Sequence, residues 1–201
     1  MDQIELTGII VGIPFGILTT FISLLIYHKL VAPKISFSEN IRTFRVSRLT
    51  PVDRYSVRIV SPKRVSLIDV KLSCQIYIYD MLENDRKFWN AFEIPISIKH
   101  MTLFTPGTFT LHLFPNKSDA IKNHSIMDVN LQKKAQRNEL RLEEIFMRYR
   151  RKCHITISIV GNDRITGIKK LYESPNYELF NFVDGEWLDS SSKVVVRNSL
   201  F

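Results

Sequence analysis

The chain has 201 residues, with 28 Lys and Arg against 20 Asp and Glu, giving a formal net charge of +8. Hydrophobic residues make up 45%, ample for a packed core, and no low-complexity stretch or long repeat is present. Cys74 and Cys153 alone make neither a disulfide framework nor a metal site, and each sits among strand-like residues as a small core side chain.

Residues 6–27 carry no charge. At about 1.5 Å per residue this run makes roughly 33 Å of helix, enough to cross a hydrocarbon core of about 30 Å. A single transmembrane helix is therefore predicted over residues 6–28, after a short extracytoplasmic N-terminus, residues 1–5. Gly8, Gly12 and Gly16 recur in steps of four, with Thr20 one step further, and leave one face of bare backbone. In lipid such a small-residue face is a main source of helix association, so a homo-oligomer is expected. Asp2 and Glu5, the length of the run, and the poor cleavage site Val31-Ala32-Pro33 argue for a permanent anchor over a secretory signal. Pro14 removes one backbone hydrogen bond within it.

Cations follow the run and none precedes it: Lys29, Lys34, Arg42, Arg45 and Arg48. This bias predicts a single-pass protein of the cell inner (plasma) membrane with its C-terminal domain in the cytoplasm. Residues 29–34 read as a basic linker. Lys29, Lys34 and Arg42 are expected to contact anionic lipid headgroups, at about 1 kcal/mol per nearby cation. The later arginines up to Arg64 fit a solvated sheet face. A second basic cluster, Arg148, Arg150, Arg151 and Lys152, is a candidate for an acidic partner or nucleic acid, against the alternative of a solvated helix end that favours the helix dipole. Direct nucleic-acid contact is not expected, because the cluster lacks an aromatic-rich sheet pattern.

Residues 35–201 read as one domain of short strands. Alternation marks residues 34–38, 43–49, 55–60 and 67–79, the longest, with Ile68, Val70, Leu72, Cys74, Ile76 and Ile78 on its apolar face. Phe88 to Ile98 and Phe109 to Phe114 follow around the turn signal Thr105-Pro106-Gly107. One amphipathic helix is predicted over 131–149 from the spacing of Leu131, Ala135, Asn138, Leu142, Ile145 and Tyr149. Strands resume at 154–160, 164–172, 177–183 and 193–196. The predicted class is mainly β, a β-sandwich with one amphipathic helix.

The order of pieces is similar to a known domain. Thr43-Phe44-Arg45-Val46, the long strand, Ile155-Thr156-Ile157-Ser158-Ile159-Val160-Gly161-Asn162-Asp163, Thr166-Gly167, Tyr172, Glu178 and Phe182 follow a membrane helix and a basic linker. Over residues 34–188 this resembles the immunoglobulin-like cytoplasmic domain of inward-rectifier potassium channels. The resemblance implies an immunoglobulin-like sandwich assembling beneath the membrane. The chain departs from that family in having one span and no Thr-Val-Gly-Tyr-Gly pore loop, so potassium selectivity does not carry over.

No catalytic constellation stands out. His28, His100, His112, His124 and His154 show no metal-ligand spacing, and neither a Gly-rich phosphate loop nor a Gly-x-Ser-x-Gly elbow occurs. Glu143 and Glu144 are adjacent and diverge on a helix, and Trp89 and Trp187 read as core or edge aromatics. No enzyme activity and no cofactor are expected. Two functions fit. One is a membrane effector, in a layout similar to the membrane effectors of prokaryotic antiviral systems, whose domain receives a nucleotide signal or a cytoplasmic protein partner such as a short Argonaute. The other is a passive tether or regulatory subunit.

Overall fold

In a computed structural model the chain divides into two units, residues 1–33 and 34–201. The structure describes the backbone of residues 3–30, 35–45, 53–62, 66–81, 87–124, 127–185 and 194–195, with the side chains of the first helix described over 12–26.

The first unit is one helix, α1 (Gln3–Leu30), with Pro14 inside it. Thr19 Oγ1 donates to the carbonyls of Phe15 and Gly16, both at 3.0 Å, and Thr20 Oγ1 donates to that of Gly16 at 2.8 Å. Both hydroxyls are thus satisfied inside the helix, as an apolar setting requires. Among the described residues no helix is long and apolar enough to cross a membrane.

The second unit is mainly β. Its strands are β1 (Ser36–Ser38), β2 (Ile41–Arg45), β3 (Asp53–Ser61), β4 (Leu67–Met81), β5 (Lys87–Glu93), β6 (His100–Phe104), β7 (Gly107–Leu113), β8 (Cys153–Asp163), β9 (Lys169–Glu173), β10 (Phe182–Asp184) and β11 (Val194–Val195). In one sheet β7 lies along one side of β3, while β2 and β1 divide its other side. β10 pairs with β2 in parallel, and β11 pairs with β1. In the other sheet β8 lies between β4 and β9, and β5 and β6 divide the far side of β4. Buried residues of both sheets, including Phe37, Tyr55, Val57, Ile76, Ile157 and Ile159, form one hydrophobic cluster. β8 shows the cause plainly, because every second residue from Cys153 to Asp163 is buried.

Several sequence expectations are corrected here. The alternation drawn along the long strand puts Ile68 in the core, but Asp69 adopts φ 52° and the register shifts between Ile68 and Lys71. This bulge turns Leu67 and Val70 inward together and leaves Ile68 half-buried. Gly161 makes room for it, since a Cβ there would lie 3.0 Å from Val70 Cγ2.

The single helix over 131–149 is in fact two, α3 (Val129–Gln136) and α4 (Leu142–Tyr149), preceded by the short α2 (Asp119–Asn123). Asn138 takes φ 60° in the break, a conformation asparagine tolerates and helices exclude. Asn116 holds the break from outside, donating to Leu140 O at 3.2 Å and accepting from Leu140 N at 3.0 Å. β6 was not anticipated, and residues 177–183, read as one extended piece, contain the 3-10 turn Leu179–Asn181 before β10.

Candidate functional site

On α1, a Cβ added at Gly12 or Gly16 would meet nothing within 4 Å, so the surface between them is open. Thr20 continues this face, its hydroxyl turned back onto the helix. Gly8 lies on the same helix, outside the side chains described, as do Lys29 and, beyond the helix, Lys34. Arg42 sits within β2 opposite Ser56, half-buried, and its Nη1 donates to the carbonyl of Asp184 at 3.4 Å. It is a sheet residue.

The second basic cluster divides. Arg148 pairs with Asp128 at 2.9 Å and so joins α4 to the start of α3. Arg150 turns the chain at φ 50°, and Lys152 is exposed where the 3-10 turn Arg150–Lys152 packs against β4 and leads into β8. The side chain of Arg151 lies outside the described residues.

The outer face of the β5–β4–β8 sheet carries an aromatic group that the sequence reading did not assemble. Register places Tyr79 opposite Trp89 and Tyr77 opposite His154. Tyr77 stacks on His154 with centroids 5.0 Å apart and planes 13° from parallel. Trp89 meets the His154 ring edge-on at 4.8 Å and tilts against Tyr79 at 5.0 Å. Trp89 is 49% exposed on β5, an edge strand of its sheet, so of the two readings, core or edge aromatic, it is the edge one. Trp187 and the C-terminal Ser199-Leu200-Phe201 lie outside the described residues. The available signal was the polar face of β4, where Tyr77 and Tyr79 stand opposite an unbroken apolar face. Burial lowers the pKa of His154, and the nearby charge of Glu178 works in the other direction. Burial thus favours the neutral, stacking form of the imidazole.

No protein-family model matches this chain, and no curated protein matches it.

Of the remaining candidates, Glu143 and Glu144 turn to different partners. Glu143 accepts from Tyr55 OH at 2.6 Å and from Thr43 Oγ1 at 3.3 Å, while Glu144 accepts from Lys134 Nζ at 2.6 Å. Both cysteines are buried, and burial raises their thiol pKa values, that of Cys153 to about 12. They are core residues, not nucleophiles. Among the described residues no group of three or more His, Cys, Asp or Glu could hold a metal ion.

Proposed function

We propose that the protein is a single-pass effector of the cell inner membrane, of defence type. In this reading α1 crosses the bilayer and associates with its copies through Gly8, Gly12 and Gly16. The C-terminal domain lies in the cytoplasm, has the architecture of an immunoglobulin-like β-sandwich, and receives a signal or a partner. Assembly of the helices then perturbs or permeabilises the membrane. No catalytic step, cofactor or metal is assigned to it.

The observation that carries the reading is that α1 forms a unit of its own, 28 residues long, with open surface at Gly12 and Gly16. The uncharged run 6–27 extends past the described side chains in both directions, and its length of about 33 Å suits a bilayer. Lys29 and Lys34 follow at the cytoplasmic boundary, where anionic headgroups attract them. Two sheets sharing one core support the sandwich architecture. The aromatic face supplies a receiving surface, with flat rings for a nucleobase or a protein side chain.

The test is Gly12→Leu in the full chain. A four-carbon side chain there separates two backbones that should nearly touch, removing several contacts each worth on the order of 1 kcal/mol. Oligomers in detergent and leakage from cells expressing the protein should both fall, while membrane insertion persists because Leu is more apolar than Gly. Ile13→Leu should change neither. Unchanged assembly and leakage in Gly12→Leu would leave the tether as the function.

A further inference from the structure

The chain joins the second unit at one identifiable end. Ser36 pairs with Val60, next to the end of β3 at Ser61, which also pairs with Gly107. Leu67 pairs with both Phe104 and Asp163 in the other sheet. Residues 62–66 connect Ser61 to Leu67, and Thr105-Pro106 connect Phe104 to Gly107. The start of β1, these two connections and the β8–β9 turn over 164–168 therefore cluster at the same end of the domain.

That turn is built firmly and shows apolar residues outward. Asp163 Oδ1 accepts from the backbone N–H of Ile165 and of Thr166, each at 3.0 Å, and Gly167 N donates to Asp163 O at 2.8 Å. Gly167 takes φ 68°, which closes the turn. Arg164 N donates to Ser66 O at 3.1 Å and ties the turn to the neighbouring connection. Ile165 is 76% exposed and Ile168 42%. Leu103, also exposed, lies opposite Ile68, which lies opposite Asn162 just before the turn. Arg164 and Lys169 flank the two isoleucines and are exposed. The acid within the turn, Asp163, is buried and engaged by the backbone and by Lys170 at 3.8 Å.

The geometry points to the 164–169 turn as a membrane-docking element, in which Ile165 and Ile168 dip into the headgroup layer of an anionic bilayer while Arg164 and Lys169 hold phosphates. This deepens the proposed function and rests on it, since the bilayer is the one that α1 crosses. A convex apolar tip with flanking cations suits a soft surface that is anionic outside and apolar beneath. The position of the tip fits as well, because β1, the first strand of the domain, starts at that end.

The test uses the full chain in vesicles. Cys74 and Cys153 are buried, so an environment-sensitive fluorophore attached at Ile165→Cys reports that site. A second label at Met147→Cys, on α4 ahead of the start of β8 and 59% exposed, serves as the aqueous reference. In phosphatidylcholine vesicles containing phosphatidylserine the label at 165 should shift to blue emission and that at 147 should not. High salt should reverse the shift. Lys169→Glu should reduce the docked fraction on the order of tenfold, since it removes one attraction and adds a repulsion. A label at 165 that stays aqueous in a chain that floats with the vesicles overturns the docking element alone. A chain that does not float with the vesicles overturns the membrane reading itself.

Discussion

One hydroxyl fastens a helix to a sheet. Tyr55, fully buried on β3, donates to Glu143 Oε2 at 2.6 Å and accepts from Leu142 N at 2.9 Å, so it caps the first turn of α4 and anchors its first acid together. Tyr55→Phe leaves the buried Leu142 N–H without that acceptor and Glu143 without its closest donor, which should cost about 1–3 kcal/mol. Chemical denaturation measures this. Tyr77→Phe, which loses only a bond to Gln75 on an exposed face, should shift the midpoint little. At His154 the pKa lies below the usual 6.5, so the fold favours the neutral ring. The associated stability is complete above pH 6.5 and is lost as pH falls through 6.5 toward the folded value. Proton NMR should find the His154 titration midpoint below 6.5. Glu178→Gln should move it lower still, because the Glu178 charge opposes the shift; a higher midpoint in that variant would contradict the assignment.

At the level of elements, what could be read in advance follows from how local each cause is. β8 is legible over 154–160, where the apolar alternation is local, but not over its last three residues, Gly161 to Asp163, whose inward positions hold a glycine and an aspartate. β4 is legible except at its first turn of register. There the bulge at Asp69 depends on Gly161 lying across the ladder in β8, and no pattern within β4 records that neighbour. Gly161→Ala should therefore destabilise the protein by about 1–3 kcal/mol through overpacking against Val70 and Leu67, visible as a lower thermal midpoint. An unchanged midpoint would mean that β4 yields at the bulge without cost. The α3–α4 break shows the reverse problem. A helical repeat runs through it, so the period alone favours continuity, whereas Asn138 and the clasp from Asn116 end α3. The aromatic face was hidden for the same reason as the bulge. Its four rings come from three strands, and only the pairing register brings them together.

Across the whole molecule, every buried core residue among the described residues belongs to the second unit. Residues 34–201 produced without α1 should therefore give a β-type far-ultraviolet spectrum, keep near-ultraviolet aromatic bands and unfold cooperatively. Loss of the near-ultraviolet bands would show that α1 contributes to the packed state. Tyr177 illustrates how the unit closes on itself. It pairs with Ile155 in one sheet, and its hydroxyl donates to Ser38 O in the other at 2.7 Å.

The parallel pairing of β10 with β2 has a consequence for synthesis. Asn181 donates to Glu39 O across 142 residues of sequence, and Phe182 then pairs with Ile41. A ribosome adding 5–20 residues per second needs on the order of ten seconds to deliver the late partner after the early strand has emerged. Throughout that interval β2 and β1 lack their outer neighbours. A nascent chain interrupted before residue 182 keeps an open sheet edge, which exposes it to chaperones and proteases. Translation itself thus acts as a timer, because the first sheet gains its last strand only once residue 195 has been made.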